Sequence, residues 1–270
     1  MGINKKEREK QWCNRMNEIN ISNEGYKMRI VKYNGVRDII IEFQDEHKTK
    51  VHTTYRYFKK GNVKNPFHPS VFGVGYLGEG KYKVSYNGKH TKCYNTWNNM
   101  LQRCYEPYTV NKRPTYINCY VCEDWLNFQN FAKWYEESYY EIEGEKMHLD
   151  KDILVKGNKI YSPETCIFVP NRINVLFTKT NSNRGELPIG VHYNKRNKCL
   201  CSECSILDKE KENKKIKFLG YFPLSEPFHA FYTYKVFKEN YIKQVADEYK
   251  EIIPQKLYES LYRYEIEIND

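Results

Sequence analysis

Residues 148–177 read HLDKDILVKGNKIYSPETCIFVPNRINVLF. The run splits into a polar-apolar segment, a tight turn, an apolar segment and a short periodic tail. If 147–153 is extended, successive side chains alternate faces, so His148, Asp150 and Asp152 share one face. Three such groups on a short strand can hold a divalent cation or activate a water. Gly157-Asn158 supplies the turn. Residues 165–169 return as an apolar strand, and Pro170 ends it. Asn171, Asn174 and the apolar Ile173, Val175, Leu176 and Phe177 fit a short helix packed back on the hairpin. The predicted unit is ββα, with polar groups at its centre.

The surroundings of this unit carry a resemblance. Asp150-Lys151, then Tyr161-Ser162-Pro163-Glu164-Thr165-Cys166, then Asn174 resembles the Asp-Arg…Tyr-Ser-Pro-Glu-Asn-Cys…Gln/Asn run of HNH-like proteins common in bacteriophages. Upstream, Trp97-x2-Met100-x2-Arg103-Cys104-Tyr105 and Val121-Cys122-x2-Trp125-x2-Phe128-x2-Phe131 look like the segment that precedes the ββα unit there. Downstream, Gly190-Val191, Leu219-Gly220-x-Phe222 and Ala230-x3-Tyr234 resemble an AP2-type DNA-binding domain. Together these cover roughly residues 90–240, and their combined order is far more specific than any one motif.

The resemblance implies metal-dependent hydrolysis of a phosphodiester. His148 is then the candidate base, and Lys151 stands where such sites usually carry a His. A lysine ammonium near its usual pKa of ~10 is almost fully protonated at neutral pH, so either His148 is the base from a displaced position, or Lys151 holds the scissile phosphate while a metal-bound water supplies the nucleophile. Asp150 and Asn174 are the first metal candidates, with Asp152 and Asn158 behind them. All four are hard oxygen ligands suited to Mg²⁺ or Mn²⁺.

Composition agrees with a polyanionic partner. The chain has 270 residues, a net charge of +10 and 25 Tyr. A Lys-rich proteome gives a similar balance with no such partner, so charge alone raises the odds modestly. No apolar run approaches the ~20 residues of a membrane span. Residues 1–15 lack an apolar signal core. Nine Cys without one suggest reduced thiols in a cytoplasm, that of the host cell if the chain is phage-encoded.

The expected architecture is multidomain α+β. Residues 1–20 form a basic arm or helix. Residues 21–75 form a small SH3-like β-barrel, with strands at 28–33, 39–43 and 51–58. A glycine-rich linker covers 73–80. Residues 82–180 form the HNH-like domain, with amphipathic helices around Trp97–Tyr105 and Trp125–Tyr135 whose aromatic residues read as core. After a second linker at 181–188, residues 186–270 form three strands and one long helix N-capped by Ser225, then a last helix near 256–262.

On that sheet the outward candidates for DNA are His192, Asn194, Lys195 and Arg196 from the first strand and its end. Lys198, Ser202 and Glu203 would come from the second, and Lys215 and Lys217 from the third. Arg and Asn suit bidentate contacts to guanine and adenine. Residues 209–215 read as a charged hairpin tip. Cys119-x2-Cys122 with Cys93 or Cys104, and the set Cys199, Cys201 and Cys204, are the zinc candidates. A structural zinc is not expected, because only one Cys-x2-Cys occurs.

The expected function is site-preferring cleavage of double-stranded DNA by a phage-type protein. The competing class is a catalytically inactive DNA-binding or regulatory protein. A third reading makes the N-terminal barrel a docking module for a host protein and the chain an inhibitor of a host defence complex.

Overall fold

The computed structural model describes residues 15–177, 186–207, 214–268 and 270. Over these the chain is mixed α+β, with several small sheets. It divides into two compact units, Met1–Glu137 and Ser138–Asp270. The division falls inside the expected 82–180 domain. Its helices belong to the first unit and its ββα segment to the second.

In the first unit, β1 (Ile19–Ile21), β2 (Lys27–Gly35), β3 (Asp38–Phe43) and β4 (Lys50–Thr53) form an antiparallel meander in that order. Strict alternation drives it, since β3 buries Ile39, Ile41 and Phe43 and turns Asp38, Ile40 and Glu42 the other way. Met28 and Ile30 join them from β2. Phe58 adds to this face from α1 (Tyr55–Lys59).

Three expectations are corrected here. Among the described residues the sheet is open rather than a barrel, because its outer strands β1 and β4 have three and four residues and never pair with each other. Residues 55–58 are helical rather than extended, because the Thr54 hydroxyl accepts the Tyr57 N–H at 3.3 Å and starts a helix there. Ile19 and Asn20, placed in the expected arm, belong to the first strand of the sheet. The rest of that arm, residues 1–14, lies outside the described residues.

The glycine-rich stretch 73–80 is packed, not a free tether. A Cβ on Gly75 would stand 2.4 Å from Leu101 and 3.0 Å from Trp97, so glycine lets this backbone lie against a helix. A small hairpin, β5 (Ser85–Tyr86) and β6 (Lys89–His90), leads into that helix, α2 (Lys92–Tyr105). Thr91 caps α2 by accepting the Tyr94 N–H at 3.0 Å. The buried stripe Trp97, Met100 and Leu101 has the spacing of one helix face.

After α3 (Pro107–Lys112), the second aromatic helix is broken in two: α4 (Glu123–Leu126) and α5 (Phe128–Ser138). Asn127 is extended, and its side chain accepts the Gln129 N–H at 3.0 Å, which restarts the helix. Trp97, Trp125, Phe128 and Phe131 are fully buried. The Trp97 indole N–H donates to the Trp125 carbonyl at 2.7 Å. These rings are core, as their periodicity implied.

In the second unit, β7 (Met147–Asp150) and β8 (Ile167–Pro170) pair antiparallel, with His148 opposite Val169 and Asp150 opposite Ile167. The four-residue α6 (Asn171–Asn174) follows at once and packs on both strands. Then β9 (Val191–Asn194), β10 (Cys199–Leu207) and β11 (Lys214–Phe222) form a three-stranded antiparallel sheet in that order. The 22-residue α7 (Pro227–Glu248) lies across all three strands, and α8 (Gln255–Tyr262) packs on α7.

The residue before α7 is Glu226, not Ser225, and no side chain caps this end. Pro227 sits at the start, where its missing N–H is no loss. Gly190 has a left-handed φ of 78°, and a Cβ there would be 2.1 Å from the Tyr234 ring of α7.

A large core cluster joins the ββα segment to the C-terminal helices, beside a smaller one of Val191, Leu200 and Ala230. Ile153, Ile167, Val169, Ile173 and Leu176 pack together with Tyr241, Ile242, Val245, Leu257 and Leu261. Arg172 of α6 also pairs with Glu248 of α7. The ββα segment and the C-terminal helices therefore share one hydrophobic interior. Residues 178–185 and 208–213, which hold most of the expected linker and hairpin tip, lie outside the described residues. Among the described residues no helix is long and apolar enough to cross a membrane.

Candidate functional site

The strand β7 stops at Asp150, three residues short of the expected Ile153. Asp150 itself ends it. Its Oδ1 accepts the N–H groups of Asp152 at 2.9 Å and Ile153 at 2.8 Å, which bends the chain. His148 and Asp150 keep their shared face, while Asp152 leaves the strand. Burial first, then the nearby Asp152 carboxylate, push Asp150 up to about 6.

Lys151 is turned inward, with 6 % of its surface exposed. Its ammonium donates to Asp152 Oδ2 at 3.0 Å and to the Asn158 carbonyl at 2.9 Å, near the face of the Tyr161 ring. A group so placed fastens the loop and is not presented to a phosphate. Asn158 is likewise committed to the backbone. Its amide donates to the carbonyls of Lys151 at 2.6 Å and Ile160 at 2.7 Å, and its Oδ1 accepts the Ile160 N–H at 3.1 Å. That leaves Asn158 poorly suited to a metal.

His148 is half-exposed, with Nε2 3.1 Å from Asn171 Oδ1 on α6. Asn174 sits half-buried at the end of the same helix. The ligand atoms of His148, Asp150 and Asp152 do not converge on one point. Among the described residues the one His/Cys/Asp/Glu group with ligand atoms mutually within 4.8 Å is His192, Cys201 and Glu203.

Lys151→Met is expected to lower stability by about 1–3 kcal/mol, because the Asn158 carbonyl loses its buried donor. Thermal melts check this, and a folded variant as stable as the wild type would show that Lys151 does not fasten the loop.

The C-terminal sheet distributes its side chains differently from expectation. Leu200, Cys204 and Ile206 of β10 face α7, and so does the buried Ser202. The open face carries His192 and Asn194 from β9, and Cys199, Cys201, Glu203 and Ser205 from β10. From β11 it carries Ile216, Phe218 and Tyr221, which are 57 %, 47 % and 54 % exposed.

Lys217 and Lys215 pair with Cys204 and Ile206, so they point to the helix side at the sheet edge. The cause is a bulge. Ser202 pairs with Gly220 and Glu203 with Phe218, leaving Leu219 as the extra residue, packed toward the core. Lys195, Arg196 and Lys198 belong to the β9–β10 turn, not to the strands. Lys198 adopts a φ of 50° there.

One feature of the first unit escaped the sequence reading. A cavity of about 300 Å³ is lined by Asn99, Gln102, Arg103, Tyr108, Thr109, Lys112 and Arg113. Three cations, amides and hydroxyls with no carboxylate suit an anion such as phosphate. The signal was present in Arg103 and in the Lys112-Arg113 pair; their convergence required the turn at Glu106-Pro107. No family model, curated protein or solved structure matches the chain.

Proposed function

We propose that the chain binds DNA and that its ββα unit hydrolyses phosphodiester bonds with the help of a divalent cation. The observation that carries this reading is the hairpin of β7 and β8 running directly into α6, with His148 and Asp150 on one strand face beside it. The cationic cavity of the first unit independently suits a phosphate.

The residues fit a cation at Asp150. A carboxylate raised by burial and by a second carboxylate is the environment that a divalent ion relieves. Asp150, with Asn174, would hold Mg²⁺ or Mn²⁺, and Asp152 would add charge nearby. Such an ion supplies charge neutralisation at the leaving oxygen. The imidazole of His148 takes the proton from the attacking water. The contact of Nε2 with Asn171 Oδ1 at 3.1 Å orients the ring. Lys151 and Asn158 hold the loop that sets the direction of Asp150.

Plasmid and linear duplex DNA incubated with Mg²⁺, with Mn²⁺ and with EDTA test this. Cleavage that EDTA stops is the expected result, and His148→Ala should slow it by about 10²–10⁴-fold. Full binding with no cleavage in either metal would overturn the catalytic reading.

One observation favours a second reading, a DNA-binding or regulatory protein without catalysis. The open sheet face displays Ile216, Phe218 and Tyr221 rather than a row of cations. Such a face contacts unpaired bases or an apolar protein surface more readily than duplex phosphates.

A further inference from the structure

We propose that His192, Cys201 and Glu203 form a binding site for one zinc-class divalent cation on the open face of the C-terminal sheet. This proposal is independent of the nuclease reading.

Strand geometry assembles the cluster. Cys201 and Glu203 lie two residues apart on β10 and so share a face. His192 of β9 stands directly opposite Cys201. One ligand atom from each residue lies within 4.8 Å of the other two. Cys201 Sγ is 3.5 Å from Glu203 Oε1, and His192 Nε2 is 3.9 Å from Glu203 Oε2. Ligand atoms about 2.0–2.3 Å from one zinc ion stand roughly 3.3–3.8 Å apart in a tetrahedral site. The 4.8 Å bound on the whole set lies about 1 Å above that spacing, so side-chain shifts of that size complete the coordination.

The donor set selects the ion. One thiolate, one imidazole and one carboxylate suit Zn²⁺ or Co²⁺, whereas Mg²⁺ prefers oxygen alone. Cys201 is 1 % exposed and forms the floor. The side chains of His192 and Glu203 are 43 % and 33 % exposed and form the rim. Three protein ligands leave the fourth position to water or an anionic oxygen from solvent.

Burial first, and then the Glu203 carboxylate, raise the Cys201 thiol to about 11. A cation between them reverses the second effect, and the thiol gives up its proton to solvent as the S–metal bond forms. Cys204, grouped with Cys201 in the sequence, faces α7 and takes no part.

The test uses the full chain, reduced and stripped of metal, titrated with Co²⁺. The expected result is one equivalent bound with a near-ultraviolet thiolate-to-cobalt charge-transfer band, and loss of that band when Zn²⁺ is added. Cys201→Ser should lose the band, while Cys93→Ser keeps it. His192→Ala and Glu203→Gln should each weaken binding by more than the roughly 10–100-fold that loss of a merely supporting partner costs. Far-ultraviolet circular dichroism confirms that each variant is folded, and the near-isosteric Glu203→Gln remains informative if another variant is not. A wild-type protein with no such band overturns the proposal, as does a band that survives in Cys201→Ser.

Discussion

Asp150→Asn is expected to abolish DNA cleavage, by at least about 10³-fold, while the second unit stays folded. The amide keeps the Oδ1 that accepts the Asp152 and Ile153 N–H groups, so the bend after β7 survives. What it removes is the charge. Asp150→Ala removes both, and should cost about 1–3 kcal/mol of stability in addition, because two backbone donors lose their acceptor.

The pair of variants therefore separates chemistry from architecture. Stability should also respond to pH. Asp150 is raised from 3.8 to about 6, so its contribution to folding is complete below 3.8 and is lost as pH rises through about 6. The melting temperature of Asp150→Asn, relative to wild type, should climb over that window and level off above it. DNA cleavage by Asp150→Asn at the wild-type rate would sink the metal assignment. A flat difference across the window would sink the account of its burial.

Gly190→Ala should destabilise the second unit by about 3 kcal/mol or more, combining a left-handed backbone strain with overpacking. The added methyl would enter the Tyr234 ring, and Tyr234 is itself part of the core of this unit. Because that core also contains Ile167, Val169 and Ile173, the ββα segment should lose order together with the three-stranded sheet. Thermal unfolding followed at the second unit should fall by more than about 5 °C in a single transition. Two separate transitions, with the ββα segment unaffected, would show that the shared core does not couple the two segments.

Much of the fold was legible because the signals were periodic. Two apolar runs separated by Asn34-Gly35 marked β2 and β3, and the stripe Trp97, Met100 and Leu101 marked α2. The order of three strands and one long helix after residue 190 was also legible. Boundaries set by single side chains were not. Asp150 stops its own strand by capping two N–H groups, and Thr54 converts an apparent strand into a helix.

The candidate site was legible in its residue types but not in their directions. His148 and Asp150 share a face as alternation requires, whereas Lys151 and Asn158 are spent on the loop. The three ligands His192, Cys201 and Glu203 come from two strands, so their meeting depended on a cross-strand register that no local pattern reveals. The cationic cavity had the same obstacle, since a turn brings its two halves together.

The extra residue at Leu219 decides which chemistry the sheet displays. If Leu219 paired with Glu203 in unbroken register, every more N-terminal residue of β11 would change sides. Lys217 and Lys215 would then turn to the open face that carries His192, and Phe218 and Ile216 would turn toward α7. The same nine residues thus encode a cationic surface in one register and an aromatic surface in the other. Changing this protein's preference between polyanions and flat apolar groups requires no new side chain, only the migration of one bulge toward the hairpin tip.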